Sequence, residues 1–200
     1  MRGIIVATED ILSEAVAEKL IQETCGQLQV VQKLGRQGFG YLRSRMLKFN
    51  QMARTQPVFV LTDLDRVECA TTLIENWIGQ RRLAPGLLFR IAVREIESWL
   101  LADHEAMRRL LGHTQLRLPD APDALADPKE TLVRLARHGP RAVREAIIPE
   151  PGAVASQGLG YNNMLVDHVR KHWSPERAAS RSESLSRARI RILKHAALAS

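Results

Sequence analysis

The sequence predicts an α/β protein: a mainly parallel four-stranded sheet flanked by helices, with a helical extension at its C-terminal end. Three observations predict it. Short runs rich in β-branched residues recur through the first half and alternate with amphipathic stretches of helical length. The first of them, "GIIVA", is continuously apolar rather than alternating, which suits a strand covered on both faces. Beyond residue 103 the β-type runs stop, and only helix-type segments follow.

The first strand is expected at "GIIVA" (3–7). "ILSEAVAEKLIQET" (11–24) places Ile11, Ala15, Leu20 and Ile21 near one helical face, with Asp10 or Ser13 as its cap and Gly26 as its stop. "LQVVQKL" (28–34) is the second strand candidate. The glycine-rich turn "GRQGFG" (35–40) then leads into a basic amphipathic helix, "YLRSRMLKFNQMAR", which Pro57 stops. "VFVLT" (58–62) is the third strand, "CATTLIENWIGQRR" (69–82) a helix, and "GLLFRIAV" (86–93) the fourth strand. Later helices are expected at "ESWLLAD", "HEAMRRLL", "PKETLVRLARHG", "PRAVREAI", "NMLVDHVRKHW" and "SESLSRARIRILKHAAL", with "LPDAPDALADP" (118–128) as a loop that turns the chain. The expected organisation is an α/β core over 1–103 and a helical extension over 104–200, packed on or beside it.

With 200 residues, 45% of them hydrophobic, the chain has material for one core with an extension rather than two full domains. The two cysteines, Cys25 and Cys69, stand apart from any Cys/His cluster, which argues against a disulfide framework or structural zinc. No apolar stretch approaches the roughly 20 residues a bilayer demands, and "MRGIIVATED" is too short and wrongly flanked for a signal peptide. A cytoplasmic setting without membrane partners is expected. The net charge of +7 suits a polyanionic partner such as nucleic acid.

Acidic residues cluster where a parallel sheet binds ligands, beyond the carboxyl ends of its strands. Glu9 follows the first strand, and Asp63 and Asp65 follow the third. If 63–65 stays extended, both aspartates point the same way, with Cα atoms roughly 6.6 Å apart and Leu64 facing inward. Two such charges about 4 Å apart repel by about 4 kcal/mol at an effective dielectric of about 20. A Mg²⁺ or Mn²⁺ ion reverses that term, because hard cations take carboxylate oxygens and keep waters for substrate phosphates. Alternatively, the pair caps the next helix or meets Arg66. Past the fourth strand lie Glu95 and Glu97. On a helix they would diverge, so one is expected to face the crevice; Glu97 is preferred and Glu95 held in reserve. Trp99 reads as core.

With these residues placed, the sequence resembles a Toprim domain, in particular the small Toprim-like proteins found beside ATPases in phage-defence operons, which share the metal-site logic of the OLD-family nucleases. The resemblance rests on Glu9 in "IIVATED", on Asp63 and Asp65 in "VFVLTDLD", and on the strings "REIESWLLAD", "DPKETL" and "SESLSRARIRI". It implies a Toprim-like fold and a Mg²⁺- or Mn²⁺-dependent nuclease or nuclease-like effector. Glu9, Asp63, Asp65 and Glu97 would be metal ligands and catalytic residues. An ATPase partner is also implied. Toprim domains often carry glycine directly after the first glutamate, and this chain has Asp10. A topoisomerase is not expected, because it needs a tyrosine nucleophile within a large clamp and only Tyr41 and Tyr161 occur here, nor is a primase, which usually carries a zinc-binding module whose cysteines are missing.

Lys129, in "DPKETL", is a candidate to stabilise charge on a scissile phosphate, or else an exposed residue in a helix's first turn. Arg36, Arg43, Arg45 and Lys48 follow the second strand on the same edge as the acids. From Arg170 onward eight Lys/Arg outnumber two acids, and Arg187 and Arg191 are expected to face nucleic acid. The six histidines show no metal spacing and read as surface or helix-end residues. Two other classes stay open. One is a non-catalytic module that binds nucleic acid or an ATPase. The other is a receiver-like phosphoacceptor, which lacks the expected Ser/Thr and Lys at its later strand ends.

Overall fold

In the computed structural model, which describes residues 1–198, four strands form one parallel sheet. They are β1 (Arg2–Thr8), β2 (Leu28–Gly35), β3 (Val58–Asp63) and β4 (Leu87–Ala92), arranged in the order β2-β1-β3-β4. The chain leaves β1 toward β2 on one side and returns to β3 on the other. The strand order therefore reverses between β1 and β3, which is where open α/β sheets leave a crevice at their carboxyl edge.

The apolar runs bury on both faces, as their composition requires. Ile4, Val6, Phe59, Leu61, Leu88 and Ala92 point to one side; Ile5, Ala7, Val58, Val60, Phe89 and Ile91 point to the other. On the second side lie α2 (Gly38–Met52) and α3 (Ala70–Ile78). Trp77 of α3 stacks on Phe89 with ring centroids 5.2 Å apart and meets Phe39 edge-on at 4.9 Å. The α2 helix starts inside the glycine-rich stretch rather than after it. Gly38 opens it at φ +76, and Phe39 is drawn onto Trp77. Gly35 holds φ +106 where a Cβ would come within 2.0 Å of the Thr8 carbonyl oxygen. That close approach of β2 to the end of β1 requires glycine.

On the first side, α1 (Ile11–Gln22) is capped by the Asp10 carboxylate, which accepts from the Ser13 N–H. It is buried nearly all round because α8 (Tyr161–Lys171) packs over its outer surface. The rest of the helical half comprises α4 (Ile96–Ala102), α5 (His104–Leu111), a 3₁₀ turn at Pro122–Ala124, α6 (Pro128–Ala136), α7 (Arg141–Ile147), α9 (Pro175–Ala179) and α10 (Glu183–Ala197). One continuous apolar cluster takes residues from both halves, including Leu12, Trp99, Leu165, Trp173 and Ile192. Trp99 is fully buried; its indole N–H donates to Ser184 Oγ at 2.7 Å, and Trp173 Nε1 donates to the Trp99 carbonyl at 3.0 Å.

Segment 118–128 is pinned more firmly than a simple turn. The Asp123 carboxylate accepts from Ser182 Oγ at 2.7 Å and from the Ser184 N–H at 2.9 Å, tying it to the start of α10. His104, His168 and His195 lie at helix ends, as expected, but are buried. No helix among the described residues is long and apolar enough to cross a membrane.

Candidate active site at the carboxyl edge

The strand reversal places Glu9 directly beside the end of β3. Glu9 Oε1 accepts from the Asp63 N–H at 3.0 Å and from the Thr62 hydroxyl. Burial raises the Glu9 pKa above the ordinary glutamate value. The Thr62 and Asp63 hydrogen bonds oppose that rise, and the charges of Asp65 and Asp10 add to it. Asp63 is under greater pressure. Its Oδ1 is shut off from solvent and has no hydrogen-bond partner. Burial, then Glu97, Glu9, Asp10 and Asp65 in turn, push its pKa well above the usual carboxylate range.

Asp65 does not continue the strand. Leu64 turns into the core, as expected, but Asp65 adopts φ +49 and is exposed. Its N–H donates to the Arg94 carbonyl at 2.8 Å, while the Arg94 guanidinium returns bonds of 3.0 Å to the carbonyls of Asp65 and Val67. The two aspartates are therefore not parallel neighbours on an extended strand. Asp63 is the inner acid, and Asp65 stands at the mouth.

Glu95 and Glu97 also depart from expectation. Glu95 precedes α4 in extended backbone, so the helical divergence does not apply, and both carboxylates reach Lys129. Lys129 Nζ lies 3.6 Å from Glu95 Oε1 and 3.7 Å from Glu97 Oε1. The Lys129 N–H, in the first turn of α6, donates to Glu95 Oε2 at 2.8 Å. Burial alone would lower the Lys129 pKa, but Glu97, Glu95, Asp63 and Asp10 outweigh it and hold the ammonium above its usual value. Glu97 is 2% exposed and accepts from Tyr161 Oη at 2.8 Å, while its Oε2 has no partner. Burial lifts its pKa to about 7, against the pull of Lys129 and the Tyr161 hydroxyl.

No family of known proteins matches the sequence, and no curated protein matches it. Among solved structures, the chain is similar to the C-terminal region of the Burkholderia pseudomallei OLD protein. The match covers 96% of this chain and 98% of that one, at 15% identity and a TM-score of 0.48.

The donor set is all oxygen, and two of its buried oxygens, Asp63 Oδ1 and Glu97 Oε2, lack partners. That chemistry fits a hard divalent cation. Even so, among the described residues no three His, Cys, Asp or Glu side chains are grouped closely enough to hold an ion as they stand. Glu9 is turned onto Thr62 and the Asp63 N–H, and Lys129 supplies the local positive charge. A crevice of about 580 Å³, lined by Phe39, Asp65, Arg66, Arg94, Glu95 and Asp127, opens beside these acids.

The basic residues divide. Arg36 is clamped to Glu14 through one guanidinium edge, Nε and Nη2 donating to the two carboxylate oxygens at 2.8 and 2.5 Å. Arg43, Arg45 and Lys48 are exposed on α2, with Arg45 lying over the Tyr41 ring at 5.7 Å. Much of the terminal basic run is spent internally: Arg170 on Glu18, Lys171 on Asp167, Arg177 on Asp103, Arg187 on Glu183 and Arg189 on Glu23. Arg191 lies close enough to Arg90 to depress its pKa, behind burial as the main cause. Sequence reasoning missed Thr62, Arg94 and Tyr161. Thr62 had a signal, a hydroxyl immediately before the strand-end acid; Tyr161 had none.

Proposed function

We propose that this protein is a Toprim-like, divalent-metal-dependent phosphodiesterase acting on nucleic acid, a nuclease or nuclease-like effector. The observation that carries this reading is the pair of partnerless buried oxygens, Asp63 Oδ1 and Glu97 Oε2, at the edge where the strand order reverses. Asp63, Glu97 and Glu9 would hold Mg²⁺ or Mn²⁺, with Asp65 at the mouth. When bound, the ion would activate a water and offset charge on the phosphate. Tyr161 orients Glu97, and Lys129 keeps an ammonium facing the site for the scissile phosphate. The sequence resemblance extends the proposal to an ATPase partner, a role in phage defence and a cytoplasmic setting.

The test is cleavage of single- and double-stranded DNA and RNA with Mg²⁺ or Mn²⁺. Asp63→Asn is expected to abolish cleavage while leaving the melting temperature unchanged or raised. Cleavage retained in that variant removes the mechanism.

A second reading, a non-catalytic module binding nucleic acid, is favoured by one observation: Lys129 already sits between Glu95 and Glu97 as their counter-charge. Nucleic-acid binding in EDTA that is indifferent to Asp63→Asn, with no cleavage in the unaltered protein, would select it.

A further inference from the structure

β4 ends the sheet, so one of its sides has no neighbouring strand. Residues of α3 approach this side, as do the first turns of α10, and a groove of about 620 Å³ lies between them. The groove shares no lining residue with the carboxyl-edge acids.

Arg90 lies in this groove. It is the charged residue of the strand "LLFRIA", and its same-face neighbours Leu88 and Ala92 are fully buried. The Arg90 side chain is half-buried, its Nε has no hydrogen-bond partner, and no carboxylate pairs with it among the described residues. Two acids line the groove, and both are engaged by neighbours in the same wall rather than by Arg90. Asp123 is taken by Ser182 and Ser184, and Glu183 by Arg187. The other charged wall residues, Arg181 and Arg187, are cationic. A guanidinium drawn partly out of water beside further arginines is unfavourable unless an anion meets it.

The walls suit one kind of anion. A guanidinium fork matches phosphate oxygens, which accept two parallel N–H bonds. Across the groove, Ala70 and Ile74 of α3 and Phe89 of β4 give an apolar wall. The volume falls in the usual range for small-ligand sites. We infer that this groove binds a nucleoside phosphate, with its phosphate on Arg90 and Arg181 and its base against the apolar wall. The phosphate belongs either to a free nucleotide or to the end of a nucleic-acid strand. This site is independent of the metal-dependent reading.

The experiment is titration calorimetry in EDTA, using adenosine monophosphate, inorganic phosphate and a terminally phosphorylated oligonucleotide as probes. The unaltered protein is expected to bind the nucleotide more tightly than inorganic phosphate. Arg90→Met is expected to weaken nucleotide binding by about tenfold or more without lowering the melting temperature. Arg181→Gln, at an exposed position, tests the same site should Arg90→Met fail to fold. A much tighter oligonucleotide assigns the groove to a strand end, and equal affinities assign it to a free nucleotide. Absence of nucleotide binding, binding unchanged in both variants, or equal Arg90-dependent binding of polyglutamate would overturn the inference. Because no divalent ion is present, none of these results bears on cleavage.

Discussion

Tyr161 donates its hydroxyl to Glu97 at 2.8 Å, joining α8 to α4 through a carboxylate that is 2% exposed. Tyr161→Phe leaves Glu97 Oε1 with Lys129 alone, 3.7 Å away. A hydrogen bond to a buried charged group contributes about 1.5–3 kcal/mol. Because the Glu97 pKa is about 7, urea denaturation should find that full loss at pH 8, where the carboxylate is ionised, and a smaller one near pH 5. An equal loss at both pH values would show that the hydroxyl does not discriminate between the two states of Glu97.

Divalent ions should stabilise the protein through Asp63. Saturation to 100 times Kd corresponds to about 2.7 kcal/mol. Thermal unfolding with Mn²⁺ should therefore rise by several degrees for the unaltered chain, return to baseline in EDTA, and not move for Asp63→Asn. Without ions, Asp63→Asn should be at least as stable at neutral pH, because burial and four neighbouring acids hold the Asp63 pKa well above its unfolded value. An acid so raised loses stability as pH climbs from the unfolded toward the folded pKa. The amide has no such loss.

His168 gives the opposite pH signature. Burial, then His172, depress its pKa to about 4; Arg109 adds to that, while Asp103 and Asp167 oppose it. The unfolded chain, with a histidine pKa of 6.5, binds the proton first as pH falls. Stability present above pH 6.5 is therefore lost progressively down to about pH 4, by about 3 kcal/mol. His168→Gln should flatten that segment of the pH–stability curve. A curve of unchanged slope would place the acid sensitivity elsewhere.

Asp103 anchors the helical half. It caps α5, accepts from Nε and Nη2 of Arg177 at 2.9 and 2.7 Å, and accepts from the Ser174 N–H at 2.8 Å. Asp103→Ala removes a buried carboxylate, and the Arg177 side chain it leaves is 38% exposed and can hydrate, so the cost should be about 1.5–3 kcal/mol. Adding Arg177→Met should recover part of the loss in a double-mutant cycle. Strict additivity would indicate that the two charges do not act together.

Much of the fold was legible because continuous apolar runs admit few alternatives. "VFVLT", β-rich and bounded by Pro57, reads as a covered strand, and it is buried on both faces. The site was legible as far as composition at strand ends could carry it, which named Glu9, Asp63 and Glu97; Lys129 was named separately, from "DPKETL", and only the fold brings it to Glu97. Local backbone geometry was not legible. The left-handed turn at Asp65 depends on its bonds with Arg94 across β3 and β4, and the extended conformation of Glu95 depends on where α4 begins. Tyr161 meets Glu97 from 64 residues away, with no spacing to announce it. Arg90 did carry a signal, a lone cation inside an apolar strand, and its meaning emerged only once β4 stood at the sheet edge.

The acid site is assembled from Glu9, Asp63, Glu97, Lys129 and Tyr161, which come from widely separated stretches of the chain. Its groups can meet only when sheet and helices have docked, so a nascent or proteolytically clipped chain that stops at residue 103 lacks both Lys129 and Tyr161. Such a fragment would keep Glu95 and Glu97 without the ammonium and the hydroxyl that meet them.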